Sequence, residues 1–192
     1  MIQIGAPLAH DFSDPLGVLS DCHRRVEHFL HLLIRVTEEA RGGELRSEQR
    51  DALEVALRYF EEAAAKHTDD EEESVFPRLR AAQRPRSAEA LVIIDALTQD
   101  HKVARARHAE VETLAHRWLA DGHLTPAAAG ELAALLHDLS TMYRRHIAIE
   151  DEELIPLARQ ILDASALAAL GREMAVRRGL DPHRVGRALL HS

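Results

Sequence analysis

The stretch HIAIEDEELIP, from His146 to Pro156, sets one histidine, four acids and a proline among residues that are otherwise apolar. His146 and Glu150 stand four residues apart, so on a helix both project from one face. Leu132, Leu135, Leu139 and Met142 lead up to them at three- and four-residue steps on that same face. A solvated charged surface would explain the acids. It does not explain a histidine on an apolar stripe.

The stretch has a twin. A shift of 79 positions carries His67 to His146, Glu71 to Glu150, Leu53 to Leu132, Leu57 to Leu136, Phe60 to Leu139 and Pro77 to Pro156. A shift of 78 carries Leu16 to Ile94, Leu19 to Leu97 and His23 to His101. A connection one residue longer in the second half accounts for the difference. The chain therefore reads as two copies of one helical hairpin, with a histidine on the first helix and His-x-x-x-Glu on the second.

Local signals bound the helices. The first starts at Asp14-Pro15, where proline suits the opening turn, and stops at Gly42-Gly43; its stripe is Leu16, Leu19, His23, Val26, Leu30 and Ile34. The second has Ser47 as its expected N-cap and carries Leu53, Leu57, Phe60, Ala64, His67 and Glu71. After the linker QRPRS, the third runs from Ser87 to Asp121-Gly122 and aligns Leu91, Ile94, Leu97, His101, His108 and Ala115. Thr125-Pro126 opens the fourth. Pro77 and Pro156 are expected to end or bend their helices, because proline lacks an N–H and crowds the preceding turn. Four long amphipathic helices with short connections predict an all-α, antiparallel up-down four-helix bundle over residues 14–163. A short fifth helix is expected at about Ser165–Arg178, ending at Gly179, with residues 164–192 packed on the bundle or extending from it.

Composition agrees with this class. Apolar residues make up 46% of the 192 and aromatics only 4%, which favours helix over sheet. A net charge of -8 argues against nucleic acid or an anionic membrane as partner. Cys22 is the single cysteine, so no internal disulfide can form, and a reducing compartment is compatible. The opening MIQIGAPLAHDFSDP lacks the basic start and apolar run of a signal peptide, and no apolar run reaches about 18 residues. The expectation is a cytoplasmic protein, with monomer and dimer both open. Thirteen histidines, spread from His10 to His191, are the anomaly.

A lone histidine on an apolar face is more often a satisfied core residue than a ligand. Four at repeat-related positions, two with matched glutamates, favour metal. Residues i and i+4 are separated by about 40° round the axis, so each His-Glu pair can address one point. In a pseudo-symmetric bundle His23, His67, Glu71, His101, His146 and Glu150 can meet near the axis. Four imidazoles and two carboxylates suit iron, manganese or zinc, and no thiolate is present to favour a soft metal. Two carboxylates able to bridge, with two imidazoles for each side, point to two ions and leave positive charge that a hydroxide or oxo group would offset. Relative to carboxylate-rich di-iron bundles with Glu-x-x-His spacing, the site has fewer anions and stabilises high-valent iron less. Binding or handling small oxidants is expected rather than C–H cleavage. His-Glu-x-x-His is absent, which disfavours zincin chemistry.

One histidine on helix one, then HTDDEEESVFP, one histidine on helix three, then HIAIEDEELIP, resembles the hemerythrin-like, HHE cation-binding proteins. CHRRVEHFL, from Cys22, resembles that family's first-helix signature, and ALAALGREMAVRRG, from Ala166, resembles an ending common in bacterial members. The resemblance implies a non-haem di-iron centre that reacts with O2, NO or peroxide, with His23, His67, His101 and His146 ligating iron and Glu71 and Glu150 bridging it. Oxygen-carrying hemerythrins have a second histidine one turn after the third-helix ligand, where this chain has Arg105. The pattern is closer to bacterial iron-centre repair proteins of nitrosative stress, whose additional N-terminal cysteine-containing domain has no counterpart in these residues.

The resulting expectation is a protein that binds, senses or detoxifies O2, NO or peroxide. Alternatives are iron binding or storage without turnover, and a helical interaction module whose metal is structural. Enzymatic turnover is left open. Glu72 is a further candidate, as a terminal ligand or as an acceptor behind an imidazole, and His108 could be core, an outer partner or a ligand. His28, His31, His116, His123 and His137 fall off the stripe and read as surface residues, and the run DDEEE, apart from Glu71, reads mostly as a solvated face. Glu27 makes His-x-x-x-Glu with His23, but its third-helix equivalent is Arg105, so the repeat does not support it. Cys22 points about 100° away from His23 round the helix, and no redox role is assigned to it.

Overall fold

Asp14 caps the first helix, α1 (Pro15–Ala40), by accepting a hydrogen bond from the Gly17 backbone N–H at 3.2 Å. The computed structural model describes residues 9–181, and no strand occurs among them. Helix α2 is built from α-helical Ser47–Tyr59, Ala65–Asp69 and Phe76–Ala81, joined by π-helical turns Phe60–Ala64 and Asp70–Val75. Helix α3 spans Ser87–Asp121. Helix α4 joins Pro126–Ile149 to Ile155–Ile161 through the π-helical turn Glu150–Leu154, and α5 spans Ala164–Arg177. At the start of α2 the cap residue is Arg46 rather than Ser47; the Gln49 side-chain oxygen reaches back to accept the Arg46 N–H at 3.1 Å.

Pro77 and Pro156 do not end their helices. Each follows a π-helical turn in which the preceding residue donates its N–H five positions back, Phe76 to Glu71 and Ile155 to Glu150. The extra residue in the wide turn makes room for a ring that would clash with an ordinary α-helical carbonyl. The helix then continues, and the two prolines mark widened turns beside the two inward glutamates.

Helix α1 packs against α2 and α4, and α3 packs against the same two, which gives the up-down ring expected of four antiparallel helices. The α1–α2 and α3–α4 connections meet at one end. There the Leu124 N–H donates to the Gly42 carbonyl at 2.7 Å, and Trp118 Nε1–H donates to the Gly43 carbonyl at 2.8 Å. Gly42 has φ of +77°, and a Cβ on it would lie 2.7 Å from the Ala129 side chain, so the turn requires glycine.

The core is split in two. One apolar cluster, including Val26, Leu30, Leu33, Leu57, Trp118 and Leu136, fills the end with the paired connections. A second, including Leu16, Leu19, Val75, Leu97, Leu154 and Met174, fills the other end and takes in α5. Leu33 and Leu136 are fully buried where the stripes place Ile34 and Leu135, which are half-buried, as is Leu91. A core-facing arc about 100° wide admits neighbours on either side of a strict three-four register.

Helix α5 is latched to the second π-helical turn of α2. Asp70, fully buried, accepts from Arg177 and lies 2.7 Å from Arg178, while Arg177 also reaches Glu73 at 3.1 Å and Arg78 pairs with Glu173 at 2.6 Å. Burial raises the Asp70 carboxyl above its ordinary range, against the pull of the two arginines. Not all of DDEEE is therefore a solvated face. The part of the C-terminal tail beyond residue 181 lies outside the described residues. Asp70→Ala should cost roughly 2–3 kcal/mol, below the usual loss for a broken buried pair because both arginines keep some solvent. Urea denaturation checks this against the exposed Glu73→Ala, and an equal loss in the two would show that the latch contributes nothing special.

Candidate metal centre

Between the two apolar clusters lies a polar layer made by all four bundle helices. His23 comes from α1, His67 and Glu71 from α2, His101 from α3, and His146 and Glu150 from α4, and all six are buried. Their donor atoms form two groups, His23–His67–Glu71–Glu150 and Glu71–His101–His146–Glu150, each with its atoms within 4.8 Å of one another. Every imidazole turns Nε2 toward the centre. His67 Nε2 lies 3.3 Å from Glu71 Oε1, His101 Nε2 lies 3.3 Å from Glu71 Oε2, and His101 and His146 approach Nε2 to Nε2 at 3.2 Å. His146 Nε2 is 3.4 Å from Glu150 Oε1, and His23 Nε2 is 3.0 Å from Glu150 Oε2. Each glutamate therefore gives one oxygen to either group.

Three of the four outer ring nitrogens face a carboxylate, and two of those carboxylates repeat, while His67 Nδ1 has no hydrogen-bond partner. His23 Nδ1–H donates to Asp151 at 2.9 Å, and His101 Nδ1–H donates to Glu72 at 2.9 Å. Glu72 and Asp151 are twins at the 79-residue shift, each directly after its central glutamate. An ionised carboxylate only accepts, so these contacts put the proton on Nδ1 and leave Nε2 directed inward. His146 Nδ1 faces Asp100 at 3.5 Å. The twin of Asp100 is Cys22, a buried thiol beside His67. The rotation of Cys22 away from His23 aims it at the neighbouring helix. Burial pushes its thiol up, but His67, with Arg178 and His23, outweighs this and leaves it below the ordinary value.

The charges explain one another. Burial alone would keep His23 neutral, yet Asp151, Glu150 and Glu71 outweigh it and hold the ring well above its ordinary pKa. Burial likewise opposes protonation of His101, which Glu71 and Glu150 nonetheless raise to about 9. Glu71 is pulled well below the carboxylate range, against burial, by His67, His101 and His23. Even so, His23 Nε2, Glu71 Oε2 and both Glu150 oxygens are buried without a hydrogen-bond partner. Inward-facing polar atoms left unmatched, with a mixed imidazole and carboxylate donor set, fit a bound cation.

All six residues expected at the site meet there. Glu72 sits outside His101 rather than at the centre. His108 does not join the group; its Nε2 lies 2.9 Å from the Tyr143 hydroxyl. Glu27, His28, His31, His116, His123 and His137 are exposed. Asp100, Tyr143 and Cys22 were not expected at the site, although the 78-residue shift pairs Asp100 with Cys22 beside the two first-and-third-helix histidines.

Fold and site together define a four-helix bundle with a buried layer of histidine and glutamate at its waist, a donor set that could hold a metal cation. Residues 14–158 match the hemerythrin HHE cation binding domain, and the chain belongs to that family. It is also 28% identical over 174 residues to an uncharacterized protein of Haemophilus influenzae, covering 87% of this chain and 91% of the relative. Among the described residues no helix is long and apolar enough to cross a membrane.

A cation must displace protons from the raised histidines. Because their pKa values lie above the ordinary one, with His101 at about 9, metal loading at neutral pH should release protons, and affinity should rise with pH up to that value. Indicator-dye titration measures the release; loading without any released proton contradicts this account of the histidines.

Proposed function

We propose that the chain is a non-haem di-iron protein that binds, senses or detoxifies O2, NO or peroxide. The observation that carries the reading is the division of Glu71 and Glu150 between two four-donor groups. One carboxylate oxygen for each group is the arrangement that lets a glutamate bridge two ions. On this reading His23 and His67 would hold one iron and His101 and His146 the other, with Glu71 and Glu150 available to both. Zinc or manganese would fit the same donors.

A pair of iron ions supplies, when bound, a redox-active Lewis-acid centre at which a small oxidant can be captured. The chain's residues prepare that place. Asp151, Glu72 and Asp100 fix ring orientation from outside, and the widened turns after residues 71 and 150 hold the carboxylates at the bundle waist. The apolar clusters on either side limit water, which strengthens the attraction between cation and carboxylate.

Anaerobic ferrous titration with metal analysis should find two irons per chain, with visible absorption that responds to peroxide or NO. Glu150→Ala should bring the content below two while circular dichroism retains its helical signal. Two irons retained in that variant would remove Glu150 from the bridging role.

A further inference from the structure

A cavity of about 560 Å³ opens between α2 and α3 beside the polar layer. His101 lines it, together with Ala64 and Thr68 of α2, Ala104 and His108 of α3, and Tyr143 of α4. The internal repeat explains the space. Ala64 and Thr68 correspond to Tyr143 and Ile147, and Ala104 and His108 correspond to Val26 and Leu30. Each residue on the α2–α3 side is smaller or more polar than its twin. Val26, Leu30 and Ile147 are packed into the apolar core. The backbone breaks the repeat here too. Phe60–Ala64, which borders the cavity, is a π-helical turn, whereas residues 139–143 of α4 are α-helical.

The walls select an occupant. On the inner side His108 and Tyr143 form a hydrogen-bonding pair at 2.9 Å, and the Tyr143 ring lies 6.3 Å from that of His146. Burial depresses His108 to about 4, so the pair is uncharged at neutral pH. Glu61, Asp69 and Glu112 outnumber Arg105 around the lining, which gives the opening a negative potential that disfavours anions. The volume lies within the ordinary range for small-molecule sites and far exceeds a diatomic gas.

We propose that this cavity is the access route and holding site for a neutral hydroperoxide, hydrogen peroxide or a small organic one, hydrogen-bonded by Tyr143 and His108. The choice of occupant rests on the di-iron reading above; the cavity does not. Ala64→Leu restores bulk where the twin position has tyrosine. In iron-loaded protein mixed with tert-butyl hydroperoxide, it should slow the visible absorption change by roughly tenfold or more, as steric exclusion from a pocket allows. Hydrogen peroxide should be slowed less, and iron content should not change. Equal rates for the variant and the unmodified protein would overturn the proposal. Xenon NMR on metal-free protein gives a readout independent of reaction: a bound-xenon shift is expected, and Ala64→Leu should abolish it. The same shift in both proteins would overturn the cavity assignment. If iron-loaded protein responds to no oxidant, the functional reading and the occupant fall together, and xenon alone decides whether the cavity is a site.

Discussion

Two carboxylates buried at the waist of an apolar bundle, Glu71 and Glu150, impose the constraint that the surrounding structure meets. Moving an ionised carboxylate out of water costs several kcal/mol unless opposite charge and hydrogen bonds offset it. Four imidazoles supply the partners, one from each helix. Three of their outer nitrogens in turn meet acceptors at the rim, Asp151, Glu72 and Asp100. The compensation is incomplete in the protein alone: the Glu150 oxygens lie within ion-pair distance of His23 and His146, yet neither makes a well-formed hydrogen bond. Those poorly matched inward atoms are what a cation would satisfy.

The duplicated hairpin makes this arrangement economical. One set of positions, used twice, yields a central glutamate, an inward histidine, a carboxylate behind it and a proline after a widened turn. The π-helical turns are part of the device, because Pro77 and Pro156 would otherwise collide with the chain just beyond the glutamates. Where the copies diverge, the two sides of the bundle differ. Cys22 stands in place of the carboxylate of Asp100, and Ala64 stands in place of Tyr143. The first gives His67 a softer neighbour than the other three rings have. The second leaves room between α2 and α3 but not at the matching core positions of the other half. Symmetry builds the polar layer, and its breaking gives that layer a direction.

Much of this was legible in the chain. Histidine, glutamate and proline recurring at fixed shifts defined two hairpins, and helical geometry put each His-Glu pair on one face. The outer acids were only partly legible, with Glu72 open as an acceptor behind an imidazole and Asp151 as solvated or outer. Glu72 and Asp151 sit in acidic runs that look like solvated surface, and only the side chains they meet on another helix distinguish them from exposed Glu73, Glu152 and Glu153. Asp70 was hidden for the same reason, since its partners lie more than a hundred residues away on α5. The prolines were expected to end or bend their helices; the helices continue, because the rule against proline assumes a turn of ordinary width and both turns here are widened.

The sequence by itself determined the helical class, the four-helix order, the internal duplication and the six residues that face inward. Each of these depends on periodicity within a helix or on correspondence between copies, and both are properties of the chain in one dimension. Only the tertiary structure decided which oxygen of each glutamate meets which histidine, and that every ring presents Nε2 to the centre. It also decided that α5 is tied to Asp70 and that a cavity stays open beside His101 on the α2–α3 side. Those depend on how neighbouring helices are rotated and spaced against one another. Side-chain volumes and charges summed across separate helices set that packing, and no local stretch encodes it.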